Sequence, residues 1–307
     1  MEGLDTILVH VDFTERSLNA LAVATGLCYQ KQTRLHLLYV LSPDSVRTGA
    51  FNDQVPDLSN EHLVREGADM VQMLATVTTQ EQHVNCSGSC RVGLIPTEVV
   101  AVARELQASL IVMGTQVGAD AQPFRLNSEA YQVIKEADCP VLTVPDHQKW
   151  TSFERILFPV RPIPGALDKY EFARQLIRKN VAELVVLALS APEEVISIHQ
   201  LQEEIITLNT KLVQDGISSQ TVFCQTDLMA ETVLEKASEL NADLLIITAG
   251  LVTTTANFFI GSFTQQIIHN AHVPVLSIRP YSEPAQRDAA VFWQYGRDDP
   301  GLSAIGL

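Results

Sequence analysis

Apolar residues along this chain gather in short unbroken runs, and between the runs they recur at helical spacing. Thr6 to Val11, Leu35 to Val40 and Leu110 to Met113 are such runs, and so are Ile156 to Val160, Leu184 to Leu189 and Leu244 to Ile247. A strand that is apolar on both faces belongs in a parallel sheet covered on both sides, whereas a strand with one wet face alternates. Less apolar strands are expected at Asn85 to Val92 and Ser219 to Cys224, and closing strands at Cys139 to Val144 and Val273 to Ile278. Helical periodicity falls between them. It begins after Thr14, a plausible N-cap, with Leu18, Leu21, Ala22 and the Thr25 region on one face. It returns over Glu61 to Thr78, Thr97 to Leu106 and Asn127 to Glu136, and again over Ile196 to Gln214, Glu231 to Leu240 and Ser262 to Asn270.

The pattern is written twice. Ala108 to Thr115 answers to Ala242 to Ala249, and Cys139 to Val144 answers to Val273 to Ile278, both at an offset of 134. Near the start of each copy, Ile7 to Val11 answers to Ile156 to Val160 at an offset of 149, so the first copy carries 149 − 134 = 15 extra residues. They are expected between Ser42 and Asn60, a stretch rich in Pro, Asp, Ser and Asn that reads as a loop. A repeat this long is a whole domain duplicated, since solenoid units run to roughly 20 to 50 residues. Five strands and four helices per copy in strict alternation predict two doubly wound α/β domains with five-stranded parallel sheets, over 1–147 and 152–281. Residues 282–307 read as a loosely held tail despite Phe292, Trp293 and Tyr295.

Composition narrows the function. A formal charge of −15, with no basic run to relieve it, argues against nucleic acid as a partner. Met1-Glu-Gly-Leu-Asp5 has acid where a signal peptide has base, and runs such as Leu184 to Leu189 are too short to span a bilayer. The expectation is a cytoplasmic protein without membrane contact. Cys28, Cys86, Cys90, Cys139 and Cys224 are an odd number and scattered, so they read as reduced thiols. Cys86 and Cys90 have no second pair of ligands at metal-site spacing, and no metal is expected. The histidines, His269 and His272 among them, fall into no nucleophile, base and acid motif.

These residues resemble the universal stress protein family, and the doubled arrangement is similar to its tandem members. The resemblance covers about residues 4 to 280 and rests on the strand ending in Asp12, the block Ala108 to Ser128 and the strand Cys139 to Val144. Nucleotide-binding members carry an acidic residue after the first strand and a loop after the fourth written Gly-x-x-Gly, nine residues, Gly-Ser/Thr. Glycines let backbone N–H groups approach phosphate oxygens, and the next helix offers its positive end.

In the first copy the resemblance implies a nucleotide site at Asp12, Val40, Gly114, Thr115, Val117, Asn127 and Ser128, with ATP and Mg as its ligands and no other cofactor implied. The motif is incomplete there. Val117 replaces the second glycine and Asn127 the third; Asn tolerates positive φ, and a β-branched residue resists it. In the second copy the equivalents Arg161, Thr248, Leu251, Gly261 and Ser262 keep only the last pair, so this site reads as degraded.

Other readings of the same residues are Asp12 as a helix cap, Gly114 as a turn, Ser128 and Ser262 as caps, and Arg161 as a solvated strand-end side chain or an anion ligand. The uncharged loop Leu251 to Ile260 could line an apolar pocket, but Phe258, Phe259 and Ile260 are better read as packing into the domain or against its twin. The resemblance also implies domains paired within the chain through their fifth strands, Pro140 to Val144 against Pro274 to Ile278, and leaves room for a homodimer. The function expected is that of a non-catalytic stress-response regulatory or binding protein. An ATP sensor acting through the first domain is the alternative.

Overall fold

The computed structural model describes residues 4–28, 33–43, 60–116, 129–146, 152–163, 165–192, 195–253 and 258–280. The extra loop of the first copy, Val117, Asn127, Ser128 and the tail lie outside these residues. The first half runs β1 (Thr6–His10), α1 (Glu15–Leu27), β2 (Arg34–Leu41), α2 (Asn60–Gln82), β3 (Asn85–Val92), α3 (Ile95–Glu105), β4 (Leu110–Thr115), α4 (Glu129–Glu136) and β5 (Val141–Pro145). The second runs β6 (Arg155–Val160), α5 (Lys169–Asn180), β7 (Glu183–Ser190), α6 (Val195–Asp215), β8 (Ser219–Gln225), α7 (Met229–Glu239), β9 (Leu244–Thr248), β10 (Leu251–Thr253), β11 (Phe258–Ile260), α8 (Ser262–Asn270) and β12 (Val275–Ile278).

One ten-stranded sheet carries the whole arrangement, in the order β3-β2-β1-β4-β5-β12-β9-β6-β7-β8. Pairing is parallel within each half and antiparallel at the centre, where Val275, Leu276 and Ser277 of β12 face Thr143, Leu142 and Val141 of β5. β1 and β6 each lie between the second and fourth strands of their half, which places a topological switch point at their carboxyl ends, where open α/β sheets bind ligands.

Helices cover both faces. On one side a single apolar core runs through α1, α2, α5 and α6, from Val9 and Val71 to Tyr170 and Leu208, and takes in Leu142 and Leu276 at the junction. On the other side, α3 and α4 close one core that reaches Ala249 and Ile268 of the second half, and α7 and α8 close another. Polar contacts also cross the junction. The Thr143 hydroxyl donates to the Val275 carbonyl at 3.3 Å, Gln265 donates to the Tyr131 hydroxyl at 3.3 Å, and Arg279 reaches the Lys135 carbonyl at 3.0 Å. Lys179 of α5 donates to the Gly26 carbonyl, supplying the cation that the last turn of α1 lacks.

Two expectations are corrected. Leu18 and Ala22 lie on the solvent side of α1; the buried face runs through Ser17, Ala20, Leu21, Ala24 and Leu27, because α1 lies on β4, and the polar Ser17 and Asn19 are satisfied by the Asp12 N–H and the Pro145 carbonyl. Thr14 is the N-cap, as expected, its hydroxyl accepting from Ser17 N–H. Strict alternation also fails in the second half, where β10 and β11 form an antiparallel hairpin between β9 and α8. The backbone of β11 lies against α4 of the first half. The packing expected of Phe258, Phe259 and Ile260 themselves lies outside the described side chains.

Leu142 and Leu276 face each other across the junction and are fully buried. Each Leu→Ala change is expected to lower stability by about 2–5 kcal/mol. Because the two side chains share one contact, the pair should be non-additive by roughly 0.5–3 kcal/mol in a double-mutant cycle followed by urea unfolding.

Candidate functional site

At the carboxyl end of β1 the chain turns through Phe13, whose φ of 61° lies in the left-handed region. A bulky residue is held there only when its surroundings determine it. Here the Phe13 ring meets Tyr39 edge-on, 5.0 Å between centroids, and the turn brings the Asp12 carboxylate back onto its own chain. One oxygen accepts from Thr14 N–H at 3.1 Å and from the Thr14 hydroxyl; the other accepts from Arg16 at 3.1 Å. Burial alone would raise the Asp12 pKa, but hydrogen bonds from Thr14, Ser17 and Arg16 outweigh it and hold the carboxyl well below the usual range. Asp12 thus stays ionised at neutral pH, with its charge committed to the first turn of α1.

Gly114 has a different duty from turning the chain. It lies within β4, and a Cβ there would stand 2.7 Å from the Arg16 carbonyl oxygen, 2.8 Å from its carbon and 3.1 Å from the Ser17 nitrogen. The glycine lets α1 lie against the end of β4. Thr115 ends that strand, half-buried, and Val40 is almost wholly enclosed in the core under α3. Nearby, Glu129 opens α4; burial first, then the Asp12 charge, raise its carboxyl pKa, while Arg16 lowers it. Two acids therefore share one cation in the first cleft.

The second cleft is built from opposite charges. Arg161, at the position of Asp12, is enclosed by protein though part of it still meets solvent, and its guanidinium carbon lies 3.8 Å from the centroid of the Phe263 ring. This corrects the expectation of a solvated side chain. A flat, weakly hydrated guanidinium stacks well on an aromatic face, and Phe263 in the first turn of α8 supplies one. Burial lowers the Arg161 pKa to about 10.

Below it, Lys169 is fully buried in the first turn of α5. Its ammonium donates to the Pro159 carbonyl and lies 4.4 Å from the Phe158 ring centroid. Burial, then the Arg161 charge, push the Lys169 pKa down to about 7, while Glu204 of α6 pulls it up. Among the described residues one buried oxygen of Glu204 has no partner, and burial raises its own pKa to about 7.

One further expectation is revised here. Ser262 is the first residue of α8 rather than its cap; Gly261 holds the cap position and gives no side-chain hydrogen bond. Thr248 is buried, its hydroxyl donating to the Ala166 carbonyl at 3.3 Å, and Leu251 opens the β10–β11 hairpin, whose ladder takes up backbone N–H groups that a phosphate loop would leave free.

The residues that sequence reading passed over are His10, Glu129, Lys169, Glu204 and Phe263. Carrying the offset of 149 into the helix sets Lys169 against Ala20 and Tyr170 against Leu21, all buried. A lysine in an alanine's core position was the signal available. Among the described residues no group of three His, Cys, Asp or Glu stands ready to hold a metal ion.

His10 is buried beside Asp12, and among the described residues its Nε2 has no hydrogen-bond partner. Burial lowers its pKa from 6.5 to about 4, against the pull of Asp12 and with a smaller push from Arg16. The folded protein thus prefers neutral imidazole, so this residue's contribution to stability is complete above about pH 6.5 and is lost as pH falls toward 4. Unfolding followed from pH 7 to 4 should lose about 3 kcal/mol more in the wild type than in His10→Leu. Gly114→Ala should lower stability by about 1–3 kcal/mol in urea titration, since the Cβ meets backbone that cannot step aside cheaply.

The chain matches the model of the universal stress protein family twice, over residues 3–145 and 152–279. It is 29% identical over 143 residues to universal stress protein MJ0531 of Methanocaldococcus jannaschii, covering 47% of this chain and 83% of that one. Among solved structures, a universal stress protein from Archaeoglobus fulgidus superposes with a TM-score of 0.67 at 17% identity, covering 90% of this chain and 99% of the other. A putative universal stress protein from Pseudomonas aeruginosa superposes with a TM-score of 0.61 at 17% identity, covering 90% and 94%. No helix among the described residues is long and apolar enough to cross a membrane. With two matched segments that together span most of its length, the chain belongs to the universal stress protein family and carries two of the family's domains in tandem.

Proposed function

We propose that this chain is a non-catalytic stress-response regulatory or binding protein, whose two domains act as a built-in pseudo-dimer and whose second domain has lost nucleotide binding. The observation that carries this reading is the spent Asp12 carboxylate. The acid that the resemblance assigns to nucleotide contact already serves Thr14 and Arg16. Gly114, another retained motif residue, is required where α1 crosses β4. Glu129 at the start of α4 adds a second negative charge where a triphosphate would need positive field.

In the second domain the β10–β11 hairpin stands where the motif would have a glycine-rich loop, and Arg161 reverses the sign of Asp12. Free cysteines suit a cytoplasmic place of action. Since β5 and β12 pair within the chain, association of two chains would have to use other surfaces.

Equilibrium dialysis and thermal unfolding with millimolar Mg-ATP test the reading, because a ligand that binds only the folded state raises its melting temperature. The expected result is no saturable binding and no shift. Saturable binding lost in Asp12→Asn would instead identify an adenine-nucleotide sensor acting through the first domain.

A further inference from the structure

The sheet ends differently on its two sides. At one end β3 is covered by α2. The Thr79 hydroxyl donates to the Cys86 carbonyl at 3.4 Å and accepts from the Cys86 N–H at 3.3 Å. A Cβ on Gly88 would stand 2.8 Å from the Val71 carbonyl oxygen, and one on Gly67 would stand 2.9 Å from the Cys90 sulfur, so helix and strand meet with little between them. β3 also carries a charge, Arg91, paired with Glu105 of α3 at 2.5 Å. A covered, charged edge is a poor template for another strand.

At the other end α6 packs on β7 and, among the described residues, has no comparable contact with β8. The register explains the difference. Leu187 pairs with Val222 where Leu38 pairs with Ser89, and 187 − 149 = 38, so Thr221 and Phe223 take the places of Gly88 and Cys90. Side chains of that size fill the space into which α2 settles in the first half. Phe223 is left 58% exposed, and on α6 Ile206 and Val213 are 66% and 79% exposed. Val213 answers to Thr79, since 213 − 134 = 79, so it lies on the side of its helix turned toward the edge strand, with Ile206 two turns before it.

β8, from Ser219 to Gln225, has no charged residue and no proline. Among the described residues it pairs with β7 alone, so one row of its backbone groups faces outward. A chain of net charge −15 repels copies of itself over most of its surface, and a neutral strand is where two copies can approach. A different partner selected by charge would find none on β8 to read. The strand is instead complementary to itself. Turned antiparallel about Val222, it sets Val222 against Val222, Thr221 against Phe223 and Ser219 against Gln225, with apolar pairs at the centre and polar pairs at the ends. An aromatic ring opposite a β-branched residue is a favourable cross-strand pair. Antiparallel union of two edges is also how the halves of the chain already join, at β5 and β12.

We propose that β8 is a homodimer interface, at which two copies of this chain pair antiparallel about a two-fold axis at Val222 and cover Phe223, Ile206 and Val213. The contact is isologous and each chain offers one such edge, so association closes at two instead of growing into a filament. It is independent of whether either cleft takes a nucleotide.

Sedimentation equilibrium of the full chain tests this, and should show monomer and dimer exchanging with a midpoint on the order of 10 μM, as suits a small interface. Hydrogen exchange should slow at β8 amides as concentration rises, while β3 amides keep their rates. Phe223→Glu, at an exposed position, should weaken association roughly tenfold or more and leave the melting temperature of the monomer unchanged. Adding Thr221→Lys to that variant places opposite charges face to face across the seam in the Val222-centred register, and should recover most of the loss at low salt. Met73→Glu, at an exposed apolar position of α2, should associate as the wild type does.

A chain that stays monomeric well above that midpoint would overturn the proposal, as would a dimer that Phe223→Glu leaves intact or Met73→Glu disrupts. Slow exchange at β8 that is indifferent to concentration would show the chain covering its own edge, and the second copy would be the wrong occupant. Association that the paired charges fail to restore would exclude the axis at Val222.

Discussion

The antiparallel contact between β5 and β12 is the constraint on which the rest of the molecule depends. Each half alone would end in an open strand edge flanked by apolar residues, a template for unwanted pairing. Setting one edge against the other satisfies the backbone of both and brings Leu142 and Leu276 into a core that continues from α1 through α5. It also sets where the helices of one half meet the other. Lys179 can reach the end of α1, and Arg279 the end of α4, because the central strands hold the halves in register.

With the frame shared, the two clefts were free to differ. In the first, Asp12 and Glu129 share the single charge of Arg16, and Gly114 is fixed by a backbone contact. In the second, cations stand at a strand end and in a core position, one against an aromatic ring and one against a carbonyl. Burying such charges is unfavourable unless geometry or a ligand compensates. The asymmetry is therefore more than drift at a tolerant surface, since Lys169 sits where the sister domain manages with a methyl group.

Much of the fold was legible because it is repeated and because its strands are apolar on both faces. The equal offsets around β4, α4 and β5 locate half of each domain from the sequence alone. Boundaries moved by a few residues, as at α2, which runs to Gln82 instead of Thr78, because amphipathic spacing fades before hydrogen bonding ends. The β10–β11 hairpin escaped because its six residues carry no turn signature and its family counterpart is a loop. For the site, residue identity alone could not reveal how a carboxylate or a glycine is used. Asp12 and Gly114 matched a binding motif, yet both answer to α1, whose position relative to β4 is a tertiary fact. Arg161 read as solvated because stacking on a residue about a hundred positions away leaves no local trace.

Joining the halves through the nine residues between Pro145 and Arg155 changes how the assembly responds to dilution. A homodimer of single domains falls apart as its concentration drops, and its stability cannot be separated from protomer supply. Here the partner edge arrives with the chain, at an effective concentration on the order of millimolar for a short tether. A cell making only a few copies would still hold every one in the joined form, with one acidic and one basic cleft in fixed one-to-one proportion.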